Sequence, residues 1–223
     1  QFASSAASDV YKRQGIDKYL DYIFNTISFL NKTTMTINEI TTRLKEGNTR
    51  FVADKQNGEL RDSTRRESLT KGQAPFAIIL SCADSRVVPE LAFDTGLGEL
   101  FVVRVAGNVA NTSSMASIEY AVAHLGVQVI VVLGHESCGA VAAAMAGGDN
   151  GHNLNHLLSH ITPALSATEE GASVADVVKK NADINAKELS NRSAIIGDAV
   201  NGGKVKIVPA YYHLGSGEVE LLA

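Results

Sequence analysis

Cysteine occurs only twice in this chain, and each copy follows an apolar run and stands among polar residues. Cys82 lies in Ser81-Cys82-Ala83-Asp84-Ser85-Arg86, and Cys138 in Gly134-His135-Glu136-Ser137-Cys138-Gly139. The His135-x-x-Cys138 segment alone has local metal-ligand spacing. Two thiolates and one imidazole suit zinc, with a fourth position left open or filled by a carboxylate. Copper or iron would compete in principle, but no further soft ligand is on offer. A single cysteine at a strand end is ordinarily a small buried hydrophobe. The pair, with a histidine between strand and helix, points instead to a shared ion. Beside such an ion Asp84 and Arg86 acquire a joint role. Asp84 either ligates the metal and closes the site, or turns away to pair with Arg86 and opens the fourth position to water.

Other chemistries fit less well. Ser137 lies between glycines, but Gly134-His135-Glu136-Ser137-Cys138-Gly139 has one residue too many before the serine for a nucleophile elbow. No G-x-G-x-x-G follows a strand, so dinucleotide binding is disfavoured.

The elements that must position these residues are readable from hydrophobic patterning. Residues 75–82, 100–105 and 127–133 are continuous apolar runs, as expected of strands buried on both faces. Between the last two, 114–125 has helical character and ends at Gly126. A further helix is expected to begin near Ser137 and run to Gly147-Gly148, and Val174, Val177, Val178, Ile184 and Leu189 mark another over 172–190. This order predicts an α/β fold with a mainly parallel central sheet flanked by helices and right-handed crossovers. A strand over 205–212, a Gly-Ser-Gly turn and Val219-Glu220-Leu221 complete an antiparallel edge hairpin, where Pro209 fits an edge better than a centre. Open parallel sheets bind ligands at the carboxyl ends of their strands. Adjacent strands can therefore unite two cysteines 56 residues apart (138 − 82). The helix near Ser137 would turn its free amides toward them and favour thiolate.

Towards the N-terminus, Thr36 and Glu39 form a capping box for a helix with an Ile37, Ile40 and Leu44 stripe, which Gly47 is expected to end. Residues 54–73 read as a solvated connection. Residues 1–14 are small and polar and are set aside as a tail. Ile16, Tyr19, Leu20, Ile23, Phe24, Ile27 and Leu30 follow helical spacing and predict an N-terminal helical arm that docks on the body or on a partner subunit. The expected division is therefore 1–35, tail and amphipathic arm, and 36–223, the zinc domain.

Bulk properties narrow the classes further. In 223 residues, 45% of them hydrophobic, a substantial core is expected and disorder is not. A net charge of −4 gives no basic field for a phosphate backbone, so nucleic acid is excluded as a partner. No apolar stretch reaches the ~18–20 residues of a membrane span, and no signal-peptide pattern is visible. The expected location is the cytoplasm, with the periplasm as the alternative. Two cysteines cannot build a disulfide framework.

The chain resembles a β-class carbonic anhydrase over roughly residues 36–221. The residues that carry the resemblance are Cys82-Ala83-Asp84-Ser85-Arg86, Arg104-Val105-Ala106-Gly107-Asn108, Ser117-Ile118-Glu119-Tyr120-Ala121 and Gly134-His135-Glu136-Ser137-Cys138-Gly139. The resemblance implies Zn2+ bound by Cys82, His135 and Cys138, with Asp84 joining them in the closed state only. It implies Asp84 and Arg86 as the catalytic dyad, and a homodimer or tetramer whose N-terminal helix crosses to the neighbour. The implied reaction is the reversible hydration of CO2 to bicarbonate by a zinc-bound hydroxide that the dyad gates and orients. Three-histidine zinc lowers the pKa of water from about 15.7 to about 7. Two thiolates cancel the metal's charge, so less lowering is expected here, with activity rising toward alkaline pH. Val87, Phe93 and the Ala106-Gly107-Asn108 turn are candidate walls of the site.

There are departures from the family. Many members place a substrate-binding glutamine near Phe93-Asp94-Thr95-Gly96; here Thr95 and Asn108 are the candidates to replace it. With no tryptophan, the chain lacks one residue of a bicarbonate regulatory pocket found in some members. His124, His152, His156, His160 and His213 are candidate proton shuttles. Two other readings remain: a carbon disulfide or carbonyl sulfide hydrolase using the same ligands, and a non-catalytic zinc or bicarbonate binder. The intact Asp84 and Arg86 argue against the latter.

Overall fold

The computed structural model describes residues 35–222; the expected arm over 16–30 and the tail before it lie outside the described residues. The described chain opens with α1 (Ile37–Val52), then α2 (Ser63–Ser68), β1 (Ala77–Ser81), α3 (Pro89–Ala92) and β2 (Leu100–Arg104). A 3-10 turn (Ala106–Asn108), α4 (Thr112–Leu125), β3 (Val129–His135), α5 (Gly139–Ala146), α6 (His152–Ser159) and α7 (Thr162–Ser166) follow. The chain closes with α8 (Val174–Arg192), α9 (Ala194–Asn201), β4 (Lys206–Tyr212) and β5 (Val219–Leu221).

The five strands form one sheet in the order β2-β1-β3-β4-β5. Its first four strands run parallel and β5 is antiparallel to β4, so the mainly parallel sheet with an edge hairpin is observed. From β1 the chain moves first to one neighbour, β2, and then to the other, β3. That reversal leaves a crevice beyond the carboxyl ends of β1 and β3, the place where open α/β sheets bind ligands. Every residue of β1 and β3 is buried, which accounts for their unbroken apolar runs. Pro209 lies inside the sheet, paired with Val132 of β3, because β5 and not β4 is the edge. The β5 ladder covers only Ala210–Tyr212, so Pro209 stands just outside it.

In one apolar cluster Ile78, Leu80, Ile130 and Val132 pack with Met115 and Ile118 of α4, Leu189 of α8 and Ile196 of α9. In a second, Cys82, Val109, Cys138, Val141, Ile161, Val177, Val178 and Tyr211 pack together, so α8 contributes to both. Both cysteines thus belong to a core, and both are free thiols.

The capping box of α1 is formed in both directions. The Thr36 hydroxyl accepts the Glu39 N–H at 3.3 Å, and the Glu39 carboxylate accepts the Thr36 N–H at 2.7 Å. Gly47 does not end this helix, which continues to Val52. It is buried inside α1 because the Phe93 backbone crosses there: a Cβ on Gly47 would lie 2.0 Å from Phe93 O. One residue on, Asn48 donates to Ala92 O at 3.0 Å and Gly217 O at 2.8 Å, and accepts the Val219 N–H at 2.9 Å. A contact residue and a polar tie therefore stand where a helix stop was expected. The connection after α1 is largely exposed but contains α2, capped by Asp62.

Gly47→Ala should destabilise the protein by about 1–3 kcal/mol, since backbone rather than a flexible side chain must move. Thermal denaturation should show a melting temperature several degrees lower; an unchanged value would mean that the Phe93 crossing yields freely.

Candidate metal centre

Cys82 immediately follows β1, and His135 is the last residue of β3. The pairing of Ser81 with Leu133 brings these two strand ends side by side. Ser137 then takes a left-handed conformation, φ 53°, which turns the chain sharply between strand and helix. Non-glycine residues in that region store strain of about 1–3 kcal/mol and persist where the surroundings fix them. The turn delivers Cys138 as the N-cap of α5. As a result one ligand atom each from Cys82, His135 and Cys138 lies within 4.8 Å of the others, and all three residues are buried.

Hydrogen bonds from neighbouring groups set the chemical state of this cluster. His135 Nδ1 lies 2.8 Å from Glu136 O. A carbonyl only accepts, so Nδ1 carries the hydrogen and Nε2 keeps its lone pair. Nε2 is buried and has no hydrogen-bond partner among the described residues. The Cys82 sulfur accepts the Gly107 N–H at 3.3 Å. The neighbouring Cys138 thiol lowers the pKa of Cys82 despite the opposing effect of burial. Cys138 moves the other way, raised first by Cys82 and then by burial: the first thiolate forms readily and the second is resisted. Burial also opposes charge on His135, but the Cys82 sulfur, the Glu136 carbonyl and the Asp84 carboxylate outweigh it and raise its pKa. A field that draws a proton to the imidazole is also one that suits a divalent cation.

Asp84 and Arg86 meet as a fork. The Asp84 carboxylate accepts the Arg86 backbone N–H and Nε at 2.9 Å each through Oδ1, and Nη2 at 2.7 Å through Oδ2. These bonds hold its carboxyl well below the usual carboxylate range, against desolvation. Oδ2 remains 3.8 Å from His135 Nε2, so the carboxylate borders the cluster while paired with Arg86.

One support escaped the reading of the sequence. Arg104, at the end of β2, donates to Cys82 O at 3.0 Å and Asp84 O at 2.6 Å, clamping the segment that carries both groups. A charged residue closing an apolar strand beside a candidate ligand was the available signal. Among the suggested wall residues, Val87 is buried and its N–H bonds back to Asp84 O at 3.1 Å. Phe93 packs beneath α1 with Leu44, Val129 and Val131. The Thr95 hydroxyl is used within its own turn, donating to Glu90 O at 3.1 Å. Asn108 is buried, and its amide atoms have no partner among the described residues. Of the suggested shuttles, His124 packs on Tyr120, His156 on His160, and His213 on Tyr211, while His152 is exposed at the first residue of α6.

Known proteins resemble this chain in sequence and in fold. A family model described as carbonic anhydrase matches residues 77–219. A carbonic anhydrase of Mycolicibacterium smegmatis is 41% identical over 184 residues, covering 80% of this chain and 89% of the relative. Carbonic anhydrase 2 of Mycobacterium tuberculosis matches with the same identity and coverage. Among solved structures, a Coccomyxa β-carbonic anhydrase in complex with acetazolamide superposes with a TM-score of 0.66 at 29% identity, covering 78% of this chain and 82% of its own. A tetrameric β-carbonic anhydrase of Sordaria macrospora gives 0.65 at 26% identity, covering 80% and 94%. By the span of the family match, the identity to its relatives and the shared fold, the chain belongs to the β-class carbonic anhydrase family and is a carbonate dehydratase, a lyase.

Proposed function

We propose that this enzyme hydrates CO2 reversibly at a zinc ion held by Cys82 Sγ, His135 Nε2 and Cys138 Sγ, with Asp84 and Arg86 as the catalytic dyad. The observation that carries the reading is the convergence of three buried donor atoms within 4.8 Å. The donor set fits the ion: two sulfurs, and an imidazole nitrogen that no hydrogen bond occupies among the described residues. Bound there, zinc would act as a Lewis acid and lower the pKa of water toward the mildly alkaline range, making hydroxide available.

The chain's own residues do the rest. Asp84 accepts the hydrogen bond of the attacking oxygen and turns its lone pair toward the carbon of CO2. Arg86 holds the carboxylate in that place by three hydrogen bonds, which oppose its movement to become a fourth ligand. The paired arrangement corresponds to the open site, and the ligating one to the closed site. Val87 and the 106–108 turn supply apolar and backbone walls for a substrate without charge.

The catalytic unit is assigned to 36–223, and the segment 1–35 to contact with a second copy. The tetrameric Sordaria relative supports a homodimer or tetramer. No helix of the described residues is long and apolar enough to cross a membrane. Two free thiols suit a reducing compartment, which supports the cytoplasm.

The zinc assignment predicts one ion per chain by elemental analysis. Chelation should abolish CO2 hydration and restoring zinc should recover it, whereas Cys138→Ser should lose the metal. Full activity in metal-free protein would rule the assignment out.

Asp84 supplies a second test. Its depressed pKa adds stability that is present above the unfolded value of about 3.9 and is lost as pH falls through the folded value. Asp84 is thus already ionised at neutral pH, and a pH dependence above neutrality comes from elsewhere. Stopped-flow hydration assays should show activity rising toward alkaline pH. Asp84→Asn should keep its zinc and that rise while losing roughly 10²–10⁴-fold in turnover. A flat wild-type profile, or full turnover in the variant, would contradict the proposed roles.

A further inference from the structure

Two asparagines, Asn181 and Asn185, interrupt the buried face of α8, which otherwise presents Val177, Val178, Ala182, Ala186 and Leu189. Buried amides destabilise a fold unless they are bonded, and these form a continuous chain. Asn185 Oδ1 accepts the Ala110 N–H at 2.6 Å. Asn185 Nδ2 donates to Asn181 Oδ1 at 3.0 Å and to Asn181 O at 2.8 Å. Asn181 Nδ2 donates to Gly107 O at 2.8 Å. This chain of bonds has one self-consistent polarity. The Ala110 N–H can only donate and the Gly107 carbonyl can only accept, so the two ends dictate the orientation of both amides between them. Two turns further along α8, Arg192 donates to Ala110 O at 3.0 Å.

The segment held in this way is the one that presents the Gly107 N–H to Cys82 Sγ at 3.3 Å. It is a short turn with Gly107 at φ 72° and Asn108 at φ 44°. A Cβ at Gly107 would meet Ile161 Cδ1 at 2.9 Å, so the backbone passes close to its surroundings. Such conformations endure only where neighbouring structure over-determines them. The asparagine pair does so through the Gly107 carbonyl and the Ala110 N–H.

We propose that Asn181 and Asn185 are positioning residues for the metal centre, holding the 107–110 turn so that the Gly107 amide points at the Cys82 sulfur. This rests on the assignment of Cys82 as a metal ligand. An amide that donates to a ligating sulfur withdraws charge from it. Partners of this kind orient ligands, and their loss typically weakens metal binding by about 10–100-fold.

Full-length protein loaded with cobalt(II) in place of zinc reports on the sulfurs directly, through sulfur-to-cobalt charge-transfer absorption. Asn181→Ala should shift that absorption and weaken cobalt and zinc by about 10–100-fold in chelator competition. Asn185→Ala removes the lock on Asn181 and should move both readouts the same way by less; it carries the test if Asn181→Ala does not fold. Leu189→Ala opens a cavity on the same helix without touching the amide chain. It should lower the melting temperature and leave absorption and affinity at wild-type values. Unchanged readouts in the asparagine variants, or equal changes in Leu189→Ala, would overturn the proposal. So would failure of both asparagine variants to fold while Leu189→Ala folds, since the pair would then serve the fold alone. No sulfur-to-cobalt absorption in the wild-type protein would instead overturn the assignment of Cys82 and Cys138 as ligands.

Discussion

Two sulfurs that compete for a proton lie beside a buried imidazole at the carboxyl ends of β1 and β3. Much of the surrounding structure is explained by that juxtaposition. A thiolate and an imidazole taken out of water without partners would be costly to bury. Here they are embedded in an apolar layer with Val109, Val141 and Ile161, where water does not screen them. Low polarity strengthens each charge–charge contact in the cluster, so small displacements of a donor change the field steeply.

The backbone around the cluster is held from several directions, each by a different element. β2 contributes Arg104, which grips the carbonyls of Cys82 and Asp84. α8 contributes the asparagine chain that braces the 107–110 turn. The turn after β3 is fastened through Glu136, whose N–H reaches Tyr212 O at 2.8 Å and whose carboxylate accepts the Leu214 N–H at 2.8 Å. Arg86 holds Asp84 at the border between the buried cluster and solvent. Three hydrogen bonds from one arginine hold that carboxylate in its paired position.

Much of this is legible in the sequence. Continuous apolar runs found β1 and β3 because strands buried on both faces have no reason to alternate; the run at β2 also marks a strand, but one at the sheet edge and only partly buried, not buried on both faces as expected. The Thr36–Glu39 capping box was legible because both of its bonds are local. The parallel sheet and its edge hairpin followed from strand and helix order. What was misread depended on distant partners. Gly47 looked like a helix stop, yet it is the point where α1 meets the Phe93 backbone, 46 residues away (93 − 47). Pro209 looked like an edge residue, yet β5 takes the edge. Asn181 and Asn185 fall at helical spacing on an apolar stripe, where their polarity is visible but their partners, more than seventy residues earlier, are not.

By itself, the sequence determined which groups could do chemistry. It holds two thiols, a histidine three residues from one of them, and an aspartate and an arginine two apart beside the other. It also determined that these groups fall at strand ends, because side-chain type and hydrophobic period are local properties. The tertiary structure decided that the two strand ends are neighbours, that Asp84 rests on Arg86, and that an amide from the 106–108 turn reaches the Cys82 sulfur. Those outcomes depend on packing between segments far apart in the chain. Residue identity alone does not encode the distances on which hydrogen bonds and metal coordination depend.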